Sequence, residues 1–281
     1  MSHKNKLSLT KQVTDALSGK LRIGQSKFEA KKDGSYREGI YSYETYHAYT
    51  KHCLAFAKYC KEQHHCKTLA ECRGYVDEYL ASRSRLSSYT IKLDAAALGK
   101  LYGCSTDEFV STQPRLRANI SRSRGRAARD RHFSETNNAS LVTFCKSTGL
   151  RRHELAALRG EDWKEEDGSL YLHVRSGKGG KERYAKVIGN TDIVLEMMQG
   201  AGNGKVFSHI PVAADIHGYR REYATAYYKA IARPVETLKQ QEKYICRKDK
   251  RGIVYDRRAM LAVSRSLGHN RIDVIAGHYL T

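Results

Sequence analysis

Residues 113–131 read "QPRLRANISRSRGRAARDR", with seven arginines, one proline, one glycine and almost no large apolar side chain. Such a stretch cannot bury itself, and no core can be built through it. It divides a chain of 281 residues into two parts that each need their own core, and the length suits two domains. The expected organisation is a domain over 1–110, a basic linker over 111–133 and a second domain over 134–281. From composition alone the linker reads as solvated chain, and equally as a strand of guanidiniums laid along a phosphate backbone. The two readings are compatible, and Arg122, Arg124 and Arg126 are its candidate backbone contacts.

The charge balance points the same way. Lys and Arg total 50 against 30 Asp and Glu, a formal net charge of +20, and the pI is near 9.6. A chain so basic repels itself unless a polyanion is its usual partner. Nucleic acid is the common one, because lysine and arginine release condensed counterions from phosphates; general basicity, as in a ribosome-associated protein, is the plainer reading. Apolar residues make up 40%, enough for globular folding, and no apolar run approaches membrane-spanning length. The opening "MSHKNKLSLTKQ" has no signal-peptide core, so the expected location is cytoplasmic. Seven scattered cysteines then read as reduced thiols. Cys53, Cys60, His64, His65, Cys66 and Cys72 lie close in sequence, but without CxxC spacing and with several fitting a helical core, so no metal site is expected.

Periodicity predicts a short helix in 7–19, a polar loop or arm over 20–40, and a helix from Ser42 to about Gln63. "TLAE" matches a capping box, Thr68 with Glu71, and predicts a helix from there to about Ser82. Ser87 or Ser88 caps another, ending at Leu101 before Gly103. In the second part, "ETNNASLVTFCKSTG" predicts a helix ending near Gly149, and "RRHELAALRGEDW" a second with Leu155 and Leu158 on one face. "LYLHVRS" (170–176) and "RYAKVI" (183–188) alternate like strands around the turn "GKGGKE", forming a β-hairpin. "TDIVLEMMQG" and "IHGYRREYATAYYKAIA" read as helices. The fold class is therefore mainly α with a small antiparallel β-sheet (α+β).

Four basic stretches in the second part can carry chemistry. In "STGLRRHEL", Arg151 falls at a helix start, where backbone N–H groups favour a phosphate. Glu154 lies three residues on and can hold its geometry, while Arg152 reads as a surface charge. In "SGKGGKER", Lys178 sits at a turn tip with the reach to enter a groove; the turn joins two strands and lacks GK[ST], so it is not a P-loop. In "HGYRREYA", His217 and Arg220 share a helix face, pairing an imidazole for proton traffic with a guanidinium for charge. In "SLGHNRIDVIAGHY", His269 precedes a short helix that leads to Tyr279. Each stretch alone has an ordinary structural reading: an Arg–Glu pair, a solvated turn, a helix face, a cap.

Taken in order, Arg151, Lys178, His217, Arg220, His269 and Tyr279 resemble the motif set of the tyrosine recombinase (phage integrase) family. "TGLRRHEL" is similar to its first arginine box, "GKGGKER" to its hairpin lysine, "HGYR" to its H-x-x-R box and "LGH" to its last histidine before the tyrosine. The resemblance spans about 134–281, the catalytic domain, and more loosely 1–110, the helical core-binding domain that contacts DNA.

The resemblance implies a site-specific DNA recombinase or integrase that cuts and rejoins DNA through a 3′-phosphotyrosyl intermediate, releasing a 5′-hydroxyl. It implies double-stranded DNA as partner, a homotetramer on two DNA sites, accessory DNA-bending proteins, and neither metal nor cofactor. Arg151 and Arg220 would clamp the non-bridging oxygens and Lys178 would protonate the leaving oxygen. His217 would take the tyrosine proton or hold the phosphate, His269 would hydrogen-bond a phosphate oxygen, and Tyr279 would be the nucleophile. Lys181 and Arg183 would contact the DNA backbone near the hairpin. A type IB topoisomerase-like enzyme and a non-catalytic DNA-binding accessory protein share parts of this pattern.

Three departures stand out. His278 occupies the commoner nucleophile spacing, one residue before Tyr279, which amounts to about 100° of helix for the backbone to absorb. The Arg220–His269 interval is about twice the family's usual length, which implies a charged insertion over about 232–252, read as a loop. Only Leu280 and Thr281 follow Tyr279, where the family usually carries a tail that docks on a neighbouring subunit; the expectation is either that the tail is absent or that subunits couple through another element such as that insertion.

Overall fold

The computed structural model describes residues 7–116, 133–178, 180–247, 250–269 and 271–280. The chain forms two compact units, Met1–Arg122 and Ser123–Thr281. Arg122, Arg124 and Arg126 lie outside the described residues. Among the described residues no helix is long and apolar enough to cross a membrane.

The first unit is helical: α1 Leu9–Ser18, α2 Tyr43–His64, α3 Leu69–Cys72, α4 Val76–Ser82 and α5 Ser88–Tyr102. Hydroxyl caps start four of them, with Ser8, Ser42, Thr68 and Ser87 each accepting a backbone N–H of the first turn. Gly103 closes α5 at φ 70°, a conformation that favours glycine. Their apolar faces bury Val13, Leu17, Phe56, Val76 and Leu98, and Cys53, Cys60, Cys66 and Cys72 are packed among them as free thiols. Asp94 is also fully buried, and is satisfied by His52 Nδ1 at 2.5 Å and Arg83 Nε at 2.7 Å. The expected arm over 20–40 is a tied excursion, closed by backbone bonds between Ile40 and its neighbours Lys20 and Arg22. The single helix expected over 68–82 is broken by a 3₁₀ turn at Arg73–Tyr75. There Tyr75 leaves the helical basin at φ −101°, ψ 8°.

The second unit opens with α6 Ala139–Thr148 and α7 Arg152–Ala157, followed by β1 Trp163–Glu166, β2 Ser169–Val174 and β3 Arg183–Lys186. These strands form one antiparallel sheet in the order β1-β2-β3. Leu170, Leu172 and Val174 alternate inward along β2; burying each contributes about 1.5–3 kcal/mol. The expected helix over 151–163 is much shorter. Leu158 turns extended, and at Gly160 a Cβ would lie 2.3 Å from the Met198 carbonyl oxygen, so only glycine permits that approach. The chain then enters β1, which is paired to β2 through Asp167 and Gly168, both at positive φ. That is the Asp-Gly hairpin turn.

Two longer helices follow, α8 Thr191–Ala201 and α9 Ile216–Ile231, and then β4 Lys243–Ile245, β5 Val254–Asp256, α10 Arg257–Ser266 and α11 Asp273–His278. The insertion expected as a loop is instead a β-hairpin: β4 pairs antiparallel with β5, with Tyr244 opposite Tyr255. Its base is fixed by the buried Asp256, which accepts from the Arg233 guanidinium through both oxygens (2.9 and 3.0 Å) and caps α10. Among the described residues two short antiparallel sheets therefore stand where one was expected.

Candidate active site

Gly149 ends α6 in the left-handed region, at φ 61°, with the Tyr223 ring so close that an added Cβ would lie 2.3 Å from it. The chain reverses there and delivers Arg151 to the N-terminus of α7. Glu154 then folds back on it. Its carboxylate accepts the Arg151 backbone N–H at 2.8 Å and the Arg151 guanidinium at 2.7 Å. The same carboxylate takes both terminal nitrogens of Arg183, at 2.9 and 2.8 Å. Burial alone would raise the Glu154 pKa. The hydrogen bonds and charge of Arg183, and then Arg151, outweigh it and hold the pKa at about 2. Arg183 also donates from Nε to the Ser266 carbonyl at 2.8 Å. The Glu154 carboxylate thus joins α7 to β3, and Arg183 carries the link on to the end of α10.

Arg183 therefore differs from the sequence expectation. Its side chain is only 9% exposed and its guanidinium is committed to Glu154 and Ser266, so it braces the site from beneath. Lys181 is exposed at the hairpin turn, where its carbonyl accepts the Gly177 N–H at 2.8 Å.

Arg152 also departs from expectation. It is not a bare surface charge: its guanidinium donates to the carbonyls of Ile210, Pro211, Val212 and Ala214 at 3.1, 2.9, 3.3 and 2.8 Å. That clamp fixes the segment leading into α9, the helix that carries His217 and Arg220.

Arg220 is fully buried. It donates to the Gly149 carbonyl, to the Leu267 carbonyl at 2.5 Å, to the Tyr279 hydroxyl from Nε at 3.1 Å, and towards His269 Nε2 at 3.5 Å. Burial lowers its pKa, the Tyr279 phenol opposes that, and Arg151 adds to it. A guanidinium held by carbonyl dipoles, a phenol and an imidazole keeps its charge available to an incoming anion.

His269 follows α10, with its N–H on the Ser264 carbonyl at 2.8 Å. Its Nε2 lies 3.2 Å from the Tyr279 hydroxyl. Burial, followed by the charges of Arg220, Arg151, Arg183 and Lys178, brings its pKa down to about 4. The imidazole is neutral at ordinary pH, and the Arg220 N–H aimed at Nε2 fits the tautomer in which Nε2 is unprotonated and can accept from the phenol. Lys178 is exposed on the hairpin turn, and its charge is among those felt at His269.

Tyr279 is the C-cap of α11, at φ −119°, ψ −38°. Tyr279 is half-buried and turned towards Arg220, and His278 is exposed. Arg220, His269 and Tyr279 therefore converge, and the charge of Arg151 is felt at Arg220 and His269 and that of Lys178 at His269. His217 occupies the exposed first turn of α9, one turn before Arg220.

No family model and no curated protein matches the sequence. Solved structures do match. The XerH site-specific recombinase bound to palindromic difH substrate, in a post-cleavage complex, superposes with a TM-score of 0.55 at 15% identity. That match covers 97% of this chain and 90% of that one. This chain has the tyrosine-recombinase fold. The pre-cleavage XerH–difH complex matches as well, with a TM-score of 0.51, 15% identity and coverage of 95% and 90%. Within the tyrosine-recombinase fold, the residues that sequence reasoning missed are Arg152 and the bracing role of Arg183. The acceptors of both lie far along the chain, and no local spacing announces them.

Proposed function

We propose that the protein is a site-specific DNA recombinase or integrase that cuts and rejoins double-stranded DNA through Tyr279. The observation that carries this reading is the phenol held between Arg220 Nε at 3.1 Å and His269 Nε2 at 3.2 Å. Tyr279 Oη attacks the phosphorus and forms a P–O bond as the bond to the 5′-oxygen breaks. The phenolic proton passes to His269 and the leaving 5′-oxygen takes a proton from Lys178. Arg151 and Arg220 stabilise the charge that develops on the non-bridging oxygens. A 5′-hydroxyl of the partner strand then displaces the tyrosine, so the phosphodiester energy is conserved without a cofactor. This assigns the proton to His269 and leaves His217, at the positive start of α9, to hold the phosphate.

In this reading the helical first unit is the core-binding domain. Lys181 and the 122–126 arginines meet the DNA backbone, and Arg183 supports the site through Glu154. The enzyme works in the cytoplasm as a homotetramer on two DNA sites, with accessory DNA-bending proteins. The test is a pool of nicked suicide duplexes of random sequence, in which loss of the short fragment beyond the nick prevents religation. Wild type should form a denaturation-resistant protein–DNA adduct that Tyr279→Phe abolishes. An adduct that persists in Tyr279→Phe overturns the assignment, and relaxation of supercoiled DNA without joining of two duplexes would favour the topoisomerase reading.

A further inference from the structure

The last turn of α11 leaves carbonyl oxygens that no helical N–H can reach. Two backbone N–H groups, those of Tyr279 and Leu280, already share the Ile275 carbonyl at 3.0 and 3.1 Å. Three further carbonyls, those of Ala276, Tyr279 and Leu280, are taken by side chains from other elements. Lys250 Nζ, at the tip of the β4–β5 hairpin, donates to the Ala276 carbonyl at 2.7 Å and to the Leu280 carbonyl. Tyr255 Oη, on β5, donates to the Leu280 carbonyl at 3.3 Å. Thr225 Oγ1, on α9, donates to the Tyr279 carbonyl at 3.2 Å.

The packing follows the same route. Cys246 from the hairpin is buried in one cluster with Ile275, Ala276 and Leu280, with Tyr244, Tyr255 and Tyr279 packed against it. The hairpin is itself rooted on the far side by Arg233–Asp256, and Tyr255 stacks edge-on against Tyr228 of α9 with ring centroids 5.5 Å apart. A six-residue helix such as α11 has little stability of its own. A cation at its C-terminus stabilises it through the carbonyls and through the helix dipole.

We infer that the β4–β5 hairpin is a clamp for the nucleophile, with Lys250 as its positioning residue: it fixes the C-terminal turn so that the Tyr279 phenol stays within reach of Arg220 and His269. The inference rests on the proposed role of Tyr279. The clamp acts within one chain, through a cation on two backbone carbonyls of the same segment, and it gives the insertion a purpose inside the catalytic unit. Lys250 donates to the Ala276 and Leu280 carbonyls, so its effect runs through the placement of α11.

The experiment uses the full chain with Lys250→Met, Lys250→Arg and the near-isosteric Tyr255→Phe. Two quantities are measured. One is amide hydrogen exchange over 272–280 in the DNA-free protein. The other is the single-turnover rate of adduct formation at saturating concentration of the nicked duplexes that wild type selects from the random pool, with DNA affinity measured alongside. Lys250→Met should speed exchange at 276–280 while the α9 core stays protected, and slow adduct formation by roughly tenfold to a hundredfold with DNA affinity unchanged. Lys250→Arg should restore most of both, and Tyr255→Phe should shift both in the same direction more weakly, which keeps the test sound if Lys250→Met fails to fold. Unaltered exchange at 276–280 in both Lys250→Met and Tyr255→Phe would overturn the clamp. Faster exchange with an unchanged adduct rate would overturn its role in positioning Tyr279. A wild-type protein that forms no adduct would instead sink the proposed function, and the exchange data would still report whether the clamp exists.

Discussion

His269 Nε2 lies 3.2 Å from the hydroxyl of Tyr279, and burial, with the cations around that imidazole, brings its pKa down to about 4. A neutral acceptor beside a phenol, among surplus positive charge, is what the proposed role of Tyr279 as nucleophile calls for, since an unperturbed phenol titrates near pH 10.

That depressed pKa has a consequence for stability. An unfolded histidine takes its proton near pH 6.5, whereas His269 in the fold does so only near 4. Between these values the unfolded chain binds the extra proton, so acid favours unfolding and stability falls as pH drops through that window. The denaturant midpoint of the DNA-free protein should decline from pH 7 to pH 5, and the decline should be shallower in His269→Gln. Identical pH dependence in the two proteins would show that the imidazole is not held neutral by its surroundings.

Glu154 governs a lower window. Its carboxylate is held at about 2 against an ordinary 4.5, so its stabilisation is complete above 4.5 and is lost as pH falls towards 2. At neutral pH, Glu154→Gln leaves two guanidiniums facing each other and should cost about 3–5 kcal/mol. Urea denaturation should show that gap at pH 7 and a smaller gap at pH 3. A gap independent of pH would assign the loss to packing instead of charge.

These two groups illustrate what could be read without coordinates. The i, i+3 spacing of Arg151 and Glu154 lies within one helical turn, so local geometry alone implied the pair. The same rule put His217 and Arg220 on one helix face, yet His217 is exposed where Arg220 is fully buried, so spacing alone did not place the histidine. The β4–β5 hairpin was hidden because strands of three residues are too short to display alternation, and because charge dominates the stretch around them. β1 was hidden by the leucines before it, which fit helical spacing, although Asp167-Gly168 was a legible turn signal. Arg152 and Arg183 could not be placed from spacing at all. The partners of Arg152 are carbonyls about 60 residues away, and the bond from Arg183 to Ser266 spans 83 residues; only the fold brings such groups together.

Arg152 supplies a prediction of its own. Four carbonyls at 2.8–3.3 Å tie the segment before α9 to its guanidinium, and removing a charged donor of this kind costs about 1.5–3 kcal/mol. Arg152→Met should lower the thermal midpoint by several degrees. It should also reduce adduct formation more than DNA binding, because α9 carries Arg220. An equal loss of binding and adduct formation would place Arg152 on the DNA.

The most direct test of the central claim, that these side chains gather around one reactive phenol, is to digest the trapped protein–DNA adduct and locate the bond by mass spectrometry. A nucleotide remnant on the Tyr279 hydroxyl, joined through a 3′-phosphate, is the predicted result. A remnant on any other tyrosine, or on His278, would contradict the account.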